Sequence, residues 1–306
     1  MKNLRWLCLT VGLALCASSA LARESYQGSF ERTVPVSGTA NLEVFTHSGD
    51  VTIRSGPAGN IVISGKIHVE DRWLSGGRKD AVAQLEKNPP VQQNGSTVKI
   101  DYVPYHEISI DYEITVPANT SVRAESGSGN LTAEGLQNGF DGHTGSGDVR
   151  LDHVAGTTRV QSGSGNITAR ALAGPFEVNA SSGDIRIEQT AAGDAKAHTG
   201  SGNVEIVGAD GGVRAEAGSG NVRVEGKPAA SWYVKTGSGN AELRLPSDAG
   251  FDLDVSTGSG TITLDHPLTT TIQGRVESPQ KSINGKVRGG GPAVSVHTGS
   301  GDVRIR

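Results

Sequence analysis

The chain has 306 residues, of which 35% are hydrophobic and only 4% aromatic, and its net charge is −4 with both signs mixed. Because a nucleic-acid partner needs a basic surface, this balance excludes nucleic acid as a partner. The two cysteines stand at positions 8 and 16, so the chain beyond them has no disulfide, metal thiolate or cysteine nucleophile.

Residues 1–22 resemble a cleaved secretory signal peptide. A basic start leads into an apolar run at 7–16, which is too short to cross a bilayer, and an A-x-A cleavage motif stands at 20–22. A lipidated Cys16 is the less favoured alternative, since Leu15 stands where a small residue is expected. We therefore expect a periplasmic or secreted protein whose residues 23–306 form a single domain with no transmembrane segment.

Residues 23–120 are irregular and predict atypical N-terminal coils and a cap, because the first coil of a stack exposes unpaired backbone. The predicted elements are a coil at 41–54, strands at 60–70, 97–103 and 107–116, and a helix at 78–87.

A polar and aromatic cluster lies between the last two of these strands and contains Tyr102, Tyr105 and His106. It is a candidate binding loop at the cap. The favoured interpretation is a connection that covers the end of the stack.

Residues 121–265 repeat a short motif in which Gly or Gly-Ser-Gly precedes Asn, Asp or Thr and a short alternating strand. Between Gly129 and Gly260 the steps are 18, 18, 18, 19, 18, 19 and 21 residues. A fixed period near 20 residues is typical of a solenoid, in which each repeat is one coil stacked on the last. The last glycine of each copy, here called the corner glycine, stands at Gly49, Gly129, Gly147, Gly165, Gly183, Gly202, Gly220, Gly239, Gly260 and Gly301.

Apolar residues stand two and four positions after the corner glycine and five before it, with polar residues between them. This period-two alternation predicts at least two strands per coil, each with one buried and one exposed face. Successive coils would pair in parallel about 4.8 Å apart. The sequence therefore predicts an all-β, single-stranded parallel β-solenoid (β-helix) with coils of about 18 residues. Trp232 adjoins the inward Val234 and is expected in the core.

The corner motif is explained best by turn geometry, because Gly tolerates positive φ and Asn or Asp can bond backbone in a turn. Corner calcium is the rival interpretation, although calcium prefers carboxylates and half of the copies carry Asn. Exposed charges in successive coils are expected to hold the register, each pair contributing about 0.2–1 kcal/mol. The expected partners are Arg186, Glu205, Arg223 and Glu242 in one column, and Glu225, Arg244 and Asp265 in another.

Three motifs together resemble a bacterial family of β-strand-repeat envelope proteins that is often labelled "putative adhesin", a domain of unknown function. They are Val-Pro-Ala-Asn at 116–119 leading into Ser-Gly-Ser-Gly-Asn at 126–130, the repeated Thr-Gly-Ser-Gly-Asn/Asp corners, and the closing segment at 298–305. The resemblance covers roughly residues 30–306. It implies a β-solenoid at or beyond the inner membrane with no assigned catalysis, and it transfers no functional residues.

One exposed column four residues before the corner glycine is the second candidate binding site, with His143, Gln161, Asn179 and His198. The two histidines would lie about 14 Å apart, three coils at strand spacing, which is too far to share a zinc ion. Polysaccharide enzymes use paired carboxylates, whereas the acids here are spread along the coils. We therefore predict no catalytic residues, no metal and no cofactor.

The predicted function is a non-enzymatic envelope scaffold or adhesin-like binding surface, monomeric or weakly self-associating, with a glycan, another envelope protein or itself as partner. One alternative is a polysaccharide-active β-helix enzyme. The other is an envelope signalling or assembly module that acts through the solenoid ends. Residues 266–292 are irregular, and the last strand at 303–306 stops without a polar cap. In the second alternative this strand offers an open edge that accepts another strand, unless Arg304 and Arg306 are charges that block such pairing.

Overall fold

The computed structural model describes residues 27–69, 76–105, 107–269 and 281–306. Within these ranges the chain is all-β apart from one helix, which confirms the all-β part of the predicted fold class. The 25 strands of the described ranges join through hydrogen bonds into one continuous sheet, and the fold is β-solenoid-like. The predicted signal peptide at 1–22 lies outside the described residues.

The N-terminal part carries seven strands and the helix. Their bounds are β1 (Gln27–Pro35), β2 (Asn41–Ser48), β3 (Val51–Gly56), β4 (Asn60–Val69), α1 (Gly76–Lys87), β5 (Val91–Asn94), β6 (Thr97–Ile100) and β7 (Ile108–Pro117). The helix lies against β1 because Ala81, Val82 and Leu85 are buried on one side of it. The strands β1, β4 and β7 pair antiparallel, as do β5 and β6. In contrast, β2 and β3 pair in parallel with β8 and β9, so the predicted coil around Gly49 joins the stack and the antiparallel strands form the rest of the cap.

The middle of the chain consists of twelve strands that pair in parallel. Their bounds are β8 (Ser121–Ser128), β9 (Leu131–Glu134), β10 (Phe140–Ser146), β11 (Val149–Asp152), β12 (Thr158–Ser164), β13 (Ile167–Ala173), β14 (Phe176–Ser182), β15 (Ile185–Ala191), β16 (Ala195–Ser201), β17 (Val204–Ser219), β18 (Val222–Ser238) and β19 (Ala241–Arg244). Each corner glycine joins two strand segments into one rung. Every rung pairs with its sequence neighbours through this region, as predicted.

The C-terminal part breaks the order of the chain. Its strands are β20 (Phe251–Ser259), β21 (Ile262–Leu264), β22 (Leu268–Thr269), β23 (Ser282–Val287), β24 (Ala293–Ser300) and β25 (Val303–Ile305). The last rung, β24 and β25, pairs in parallel with β18 and β19 on one side and with β20 and β21 on the other. The rung of Gly301 therefore lies between the rungs of Gly239 and Gly260.

The prediction that the final strand offers an open edge is wrong, because β25 has a partner on both sides. Among the described residues, the rung with one parallel neighbour is instead that of Gly260. Its strand β20 is covered on the far side by the antiparallel β23, and β21 pairs with β25 alone.

The core is a slim aliphatic column between the strands of each rung, with β-branched and other apolar residues at the predicted inward positions. Trp232 is 1% exposed, and its indole nitrogen Nε1 donates a hydrogen bond to the Gly211 carbonyl oxygen at 2.9 Å. The prediction that Trp232 packs in the core is therefore confirmed.

Candidate binding face

At the corners, the backbones of neighbouring rungs lie very close to each other. An added Cβ at Gly165 would lie 2.0 Å from the carbonyl oxygen of Gly147, and at Gly220 it would lie 2.0 Å from that of Gly202. No side chain fits at such a distance, so the neighbouring rung requires glycine at both positions, and at Gly220 the positive φ of +134° requires it as well.

The Asn and Asp residues of the corners form a continuous hydrogen-bond ladder. At each step the Oδ1 atom of one rung accepts the backbone N–H of the equivalent residue in the next rung, at 2.7–3.0 Å. These contacts support the turn interpretation, because the Oδ1 atoms already accept backbone donors. In spatial order the ladder runs through Asp111, Asp50, Asn130, Asp148, Asn166, Asp184, Asn203, Asn221, Asn240, Asp302 and Thr261.

The outward side of the first strand of each rung forms the surface that we call the polar face. It contains the column four residues before the corner glycine, and the structure places His143, Gln161, Asn179 and His198 beside one another in register, as predicted. The full column, in spatial order, is Phe45, Glu125, His143, Gln161, Asn179, His198, Glu216, Lys235, His297 and Ser256.

A second column, six residues before the corner glycine, completes the polar face and was missed by sequence reasoning. Its charges alternate in sign over the first six rungs, and the same alignment on the corner glycine would have found it. In spatial order its members are Glu43, Arg123, Asp141, Arg159, Glu177, Lys196, Arg214, Tyr233, Ser295 and Asp254.

Shallow depressions lie between these two columns. One encloses about 480 Å³ and is lined by Glu177, Asn179, Lys196, Ala197, His198, Arg214 and Glu216. A second of about 260 Å³ surrounds His143 and Gln161. Both are open to solvent on a flat sheet, so this geometry suits an extended ligand that lies along the rungs better than a small molecule in a deep pocket.

Ion pairs fix several side chains of the polar face. Arg214 Nη2 lies 2.5 Å from Glu216 Oε1, and its guanidinium lies over the Tyr233 ring, 5.0 Å from the centroid. Arg123 pairs in the same way with Glu125, and this hydrogen bond raises the pKa of Arg123. These pairs hold the charged groups in place without adding net charge.

At the far end of the polar face, Ser256 Oγ lies 2.8 Å from His297 Nδ1. A serine nucleophile with a histidine base has this contact, and it also needs a group that orients the imidazole and donors for an oxyanion. The His297 ring lies 5.9 Å from the Tyr233 ring, and Ser256 and His297 stand opposite each other on adjacent strands. The pair therefore serves as a hydrogen bond between adjacent rungs.

At the opposite end, three rings form what we call the aromatic cluster, Phe45, His47 and Tyr102. The Tyr102 ring stacks on His47 with centroids 4.5 Å apart and lies 5.7 Å from Phe45. Tyr102 is 42% exposed and is the one large hydrophobic side chain exposed to this degree in the described ranges. The cluster joins the predicted cap loop to the predicted column, since Phe45 stands in register with Glu125.

The other two members of the predicted cap loop differ from Tyr102. Tyr105 is half-buried and packs against the core, which fits the favoured interpretation of the loop as a cover for the stack. His106 lies outside the described residues. Sequence reasoning missed Phe45 and His47, because they join Tyr102 only through the parallel pairing of β2 with β6.

The backbone next to Tyr102 is held by its neighbours. Asp101 Oδ1 accepts the Tyr102 backbone N–H at 3.0 Å, and Asp101 Oδ2 accepts a hydrogen bond from Lys99 Nζ at 2.8 Å. These hydrogen bonds, the one from Lys99 first, lower the pKa of Asp101 and keep its carboxylate ionised. Lys99 Nζ also lies 5.3 Å from the Phe45 ring centroid, within the range of a cation–π contact.

The outward side of the second strand of each rung carries the predicted charge ladder. Glu205 lies between Arg186 and Arg223, at 2.7 and 3.8 Å, as expected. The expected contact of Arg244 with Asp265 is wrong, because the inserted rung places Arg306 next to Arg244 in the column.

Glu242 is the acid that the inserted rung brings between arginines. It pairs with Arg244 at 3.1 Å and with Arg306 at 3.0 Å. Burial opposes its ionisation, but the hydrogen bond from Arg244 and the charge of Arg306 outweigh it and lower the pKa of Glu242.

A protein-family model matches residues 39–306, which is most of the chain and includes both faces and all ten corners. The chain belongs to the Toastrack DUF4097 family. This match confirms the predicted membership of a family of unknown function.

Three solved structures are similar to this Toastrack chain. A putative adhesin from Parabacteroides distasonis is 10% identical, with 91% of this chain and 97% of that one covered and a TM-score of 0.39. A putative adhesin from Bacteroides fragilis is 13% identical with the same coverage and a TM-score of 0.36. A putative cell adhesion protein from Clostridium sporogenes is 12% identical over 91% and 99%, with a TM-score of 0.23.

A comparison with curated proteins gave no match. Among the described residues, no group of three or more His, Cys, Asp or Glu side chains is arranged to hold a metal ion. In the same ranges, no helix has the length and apolar character to cross a membrane.

Proposed function

We propose that this Toastrack protein is a non-enzymatic, exported parallel β-solenoid that presents its polar face as an adhesin-like binding surface in the cell envelope. Residues 23–306 act as one domain in this proposal, with the cap at 23–120 covering one end. The N-terminal signal-like segment supports export to the periplasm or beyond.

One observation carries the proposal: the polar face presents hydrogen-bonding and charged side chains in two regular columns over ten successive rungs. Neighbouring rungs repeat about every 4.8 Å, so a polymer along the stack meets many similar contacts. Many weak contacts at a fixed spacing add up to useful affinity when the surface that presents them is rigid.

The rigidity comes from the corners. The Asn/Asp ladder, and the hydroxyls of Thr144, Thr199 and Thr236 that donate to corner carbonyls at 3.1, 3.0 and 2.7 Å, tie each rung to the next. A surface held in this way loses little conformational freedom when it binds. The same rigidity would suit a passive scaffold, so the test must address binding directly.

The test is capture of envelope material by the purified protein and by a variant with His143, Gln161, Asn179 and His198 all replaced by Ala. These four side chains are exposed or half-buried and support no core contact. We expect the variant to capture far less material. The matched control replaces outward residues of the second strands, Thr132→Ala and Thr168→Ala, and should capture as much as the parent. Equal capture by all three proteins would end the proposal.

A further inference from the structure

The chain contains asparagine followed by glycine at three places, Asn94, Asn138 and Asn284. In such a pair the backbone nitrogen of the glycine can attack the side-chain carbon Cγ of the asparagine, because glycine has no Cβ to obstruct the approach. Every other asparagine of the chain precedes a residue that carries a side chain. The three sites therefore share the same local chemistry, and the fold decides which of them can react.

At Asn138 the nitrogen that would attack is held by the neighbouring rung. The Gly139 N–H donates a hydrogen bond to the Ala155 carbonyl oxygen at 2.8 Å. Gly139 is also buried, and a Cβ added to it would lie 2.5 Å from the Thr157 carbonyl oxygen. Attack by this nitrogen would break the hydrogen bond and displace a packed backbone, so the fold protects Asn138.

At Asn284 the sheet holds the corresponding nitrogen. Gly285 lies opposite Leu253 in the antiparallel pair of β20 with β23. Hydrogen-bonded positions recur at every second residue of such a pair, and the Thr257 N–H donates to the Lys281 carbonyl oxygen at 2.8 Å. By this alternation the Gly285 N–H donates to the Leu253 carbonyl oxygen. The Asn284 side chain is exposed, but the nitrogen that would attack it is engaged.

Asn94 is the last residue of β5 and stands at the tip of the hairpin that β5 forms with β6. The turn consists of Gly95, with φ of +61°, and Ser96. Its carbonyl oxygens are held, because that of Gly95 accepts a hydrogen bond from Gln93 Nε2 at 3.1 Å and that of Ser96 accepts one from the Asn41 N–H at 3.0 Å.

The nitrogen of Gly95 differs from those of the other two glycines. Within the described ranges no acceptor lies within hydrogen-bond distance of the Gly95 N–H. Asn94 and Gly95 are both exposed, and a Cβ added to Gly95 would meet nothing within 4 Å. This nitrogen faces solvent and can approach the Asn94 side chain without breaking a hydrogen bond of its own.

We infer that Asn94 is a site of spontaneous modification, at which the side-chain amide is lost and aspartate or isoaspartate forms, while Asn138 and Asn284 stay intact. The Gly95 nitrogen gives its proton to hydroxide and forms a bond with Asn94 Cγ. The bond from Cγ to Nδ2 breaks, and Nδ2 takes a proton from water and leaves as ammonia. Water then opens the cyclic succinimide at either carbonyl carbon, so one water molecule is consumed and nothing is oxidised or reduced.

Either product changes the cap, and the inference goes beyond the proposed binding face without depending on it. Aspartate adds a negative charge at the hairpin tip. Isoaspartate leads the main chain through the side-chain carbon and lengthens it between β5 and the turn, so the hydrogen bonds to the Gly95 and Ser96 carbonyl oxygens lose their geometry. We expect the modified hairpin to be cleaved faster by a protease than the unmodified one.

The experiment incubates the folded full-length protein at mildly alkaline pH and follows the three sites by mass spectrometry. Trypsin releases each Asn-Gly pair in a different peptide, and loss of the amide raises the peptide mass by about 1 Da. Asn94 should convert at least about 10-fold faster than the other two sites, because one hydrogen bond fewer must be broken. In guanidinium chloride, where the fold is lost, the three rates should agree within about threefold.

Two variants and one control locate the reaction. Gly95→Ala places a Cβ beside the attacking nitrogen and should slow the conversion of Asn94. Asn94→Gln keeps the turn glycine and an amide but requires a larger ring, so the peptide should stay unmodified and the hairpin should keep its resistance to protease. The control is Gly59→Ala, which also adds a Cβ at a positive φ, +95°, with nothing within 4 Å, and should leave the rate at Asn94 unchanged.

Three results would overturn the inference. One is an equal rate at all three sites of the folded protein. Another is an intact Asn94 in the folded protein after the time that converts it in guanidinium chloride. The third is an equal preference for Asn94 in guanidinium chloride, since the adjoining residues and not the fold would then select the site.

Discussion

The rungs of residues 121–244 and the rungs at the C-terminal end use the same corner in two different ways. In the middle, each rung lies beside its neighbours in sequence. At the end, the chain first forms the rung of Gly260 and then returns to place the rung of Gly301 inside the stack. The corners of Gly239 and Gly301 carry the same glycine with an Asn or Asp that both donates and accepts in the ladder, so the rung of Gly301 fits next to that of Gly239, and Thr261 ends the ladder. The hydrogen bonds at the corners thus set the register between neighbouring rungs, while the segments that join the rungs decide which rungs become neighbours.

The largest effect is expected for the corner glycines, and it should be the same in the two regions. At Gly220 and Gly301, φ is +134° and +145°, and an added Cβ would lie 2.0 and 2.1 Å from a backbone carbonyl oxygen. Gly220→Ala and Gly301→Ala should each lower the free energy of unfolding by about 2–6 kcal/mol, the sum of strain and overpacking. Urea denaturation measures both.

The control for this pair is Gly38→Ala. Gly38 also has a positive φ, of +71°, but nothing lies within 4 Å of the added Cβ. The Gly38→Ala substitution should lower the free energy of unfolding by only about 1–2 kcal/mol, from backbone strain alone. If Gly301→Ala behaved like Gly38→Ala while Gly220→Ala did not, the inserted rung would not be packed as the middle rungs are.

The next largest effect separates an inserted rung from a terminal one. Ile305 and Ile187 are both fully buried, whereas Leu264 lies half-buried in the end rung. Ile305→Ala and Ile187→Ala should each cost about 2–5 kcal/mol in thermal or chemical denaturation. Leu264→Ala should cost distinctly less, about 1 kcal/mol, because less apolar surface is removed from contact. If Ile305→Ala lowered the free energy of unfolding only slightly and Leu264→Ala lowered it strongly, the rung of Gly260 and not that of Gly301 would be the inner one.

A smaller effect is expected along the Asn/Asp ladder. Asn221 Oδ1 accepts the Asn240 backbone N–H at 2.9 Å, and its Nδ2 donates to Asn203 at 3.2 Å. Asn221→Ala removes both contacts and should cost about 1–2 kcal/mol, whereas Asn221→Asp keeps the acceptor and should cost less. Asn240→Ala tests the same contact at the inserted rung, where Asn240 Oδ1 accepts the Asp302 N–H at 2.8 Å. A larger cost for Asp than for Ala would show that the acceptor is unimportant.

The smallest effect concerns Glu242, which the inserted rung places beside Arg306. Its pKa is lower in the folded protein than in the unfolded chain, so its contribution is fully present above the unfolded pKa, about 4.3, and is lost as pH falls through the folded pKa. Glu242→Gln should cost about 0.2–1 kcal/mol at pH 7. The difference from the parent should shrink as the pH falls through the folded pKa, and added salt should reduce it. A difference that grows towards low pH would contradict this account.

Much of the rung could be predicted because its determinants are local in sequence. The alternation around each corner glycine gave the buried and exposed positions, and the position of Trp232 beside Val234 gave its burial. The helix begins two residues earlier than the predicted residue 78 and ends at Lys87 as expected. The strand at 60–70 is found as β4, with residue 70 outside the described ranges.

The rest depended on contacts between distant segments. The corners at Gly239, Gly260 and Gly301 share the Thr-Gly-Ser-Gly pattern, and the one difference, Thr261 in place of Asn or Asp, was not recognised as the end of the ladder. The sequence did not predict β1 or β5. The strand β1 has no regular pattern of its own and forms by pairing with β4, and β5 is short and mostly exposed. Tyr102 was identified as a candidate, but its ring partners His47 and Phe45 reach it only after β2 and β6 pair.

The inserted last rung also changes how the protein responds to mechanical load. A terminal rung could be peeled away one bond at a time if its end were pulled. Force on the C-terminus instead acts on β24 and β25, whose hydrogen bonds on both sides must shear together before the chain yields. The segment from residue 293 onward therefore works as a latch that keeps the stack from unzipping under tension.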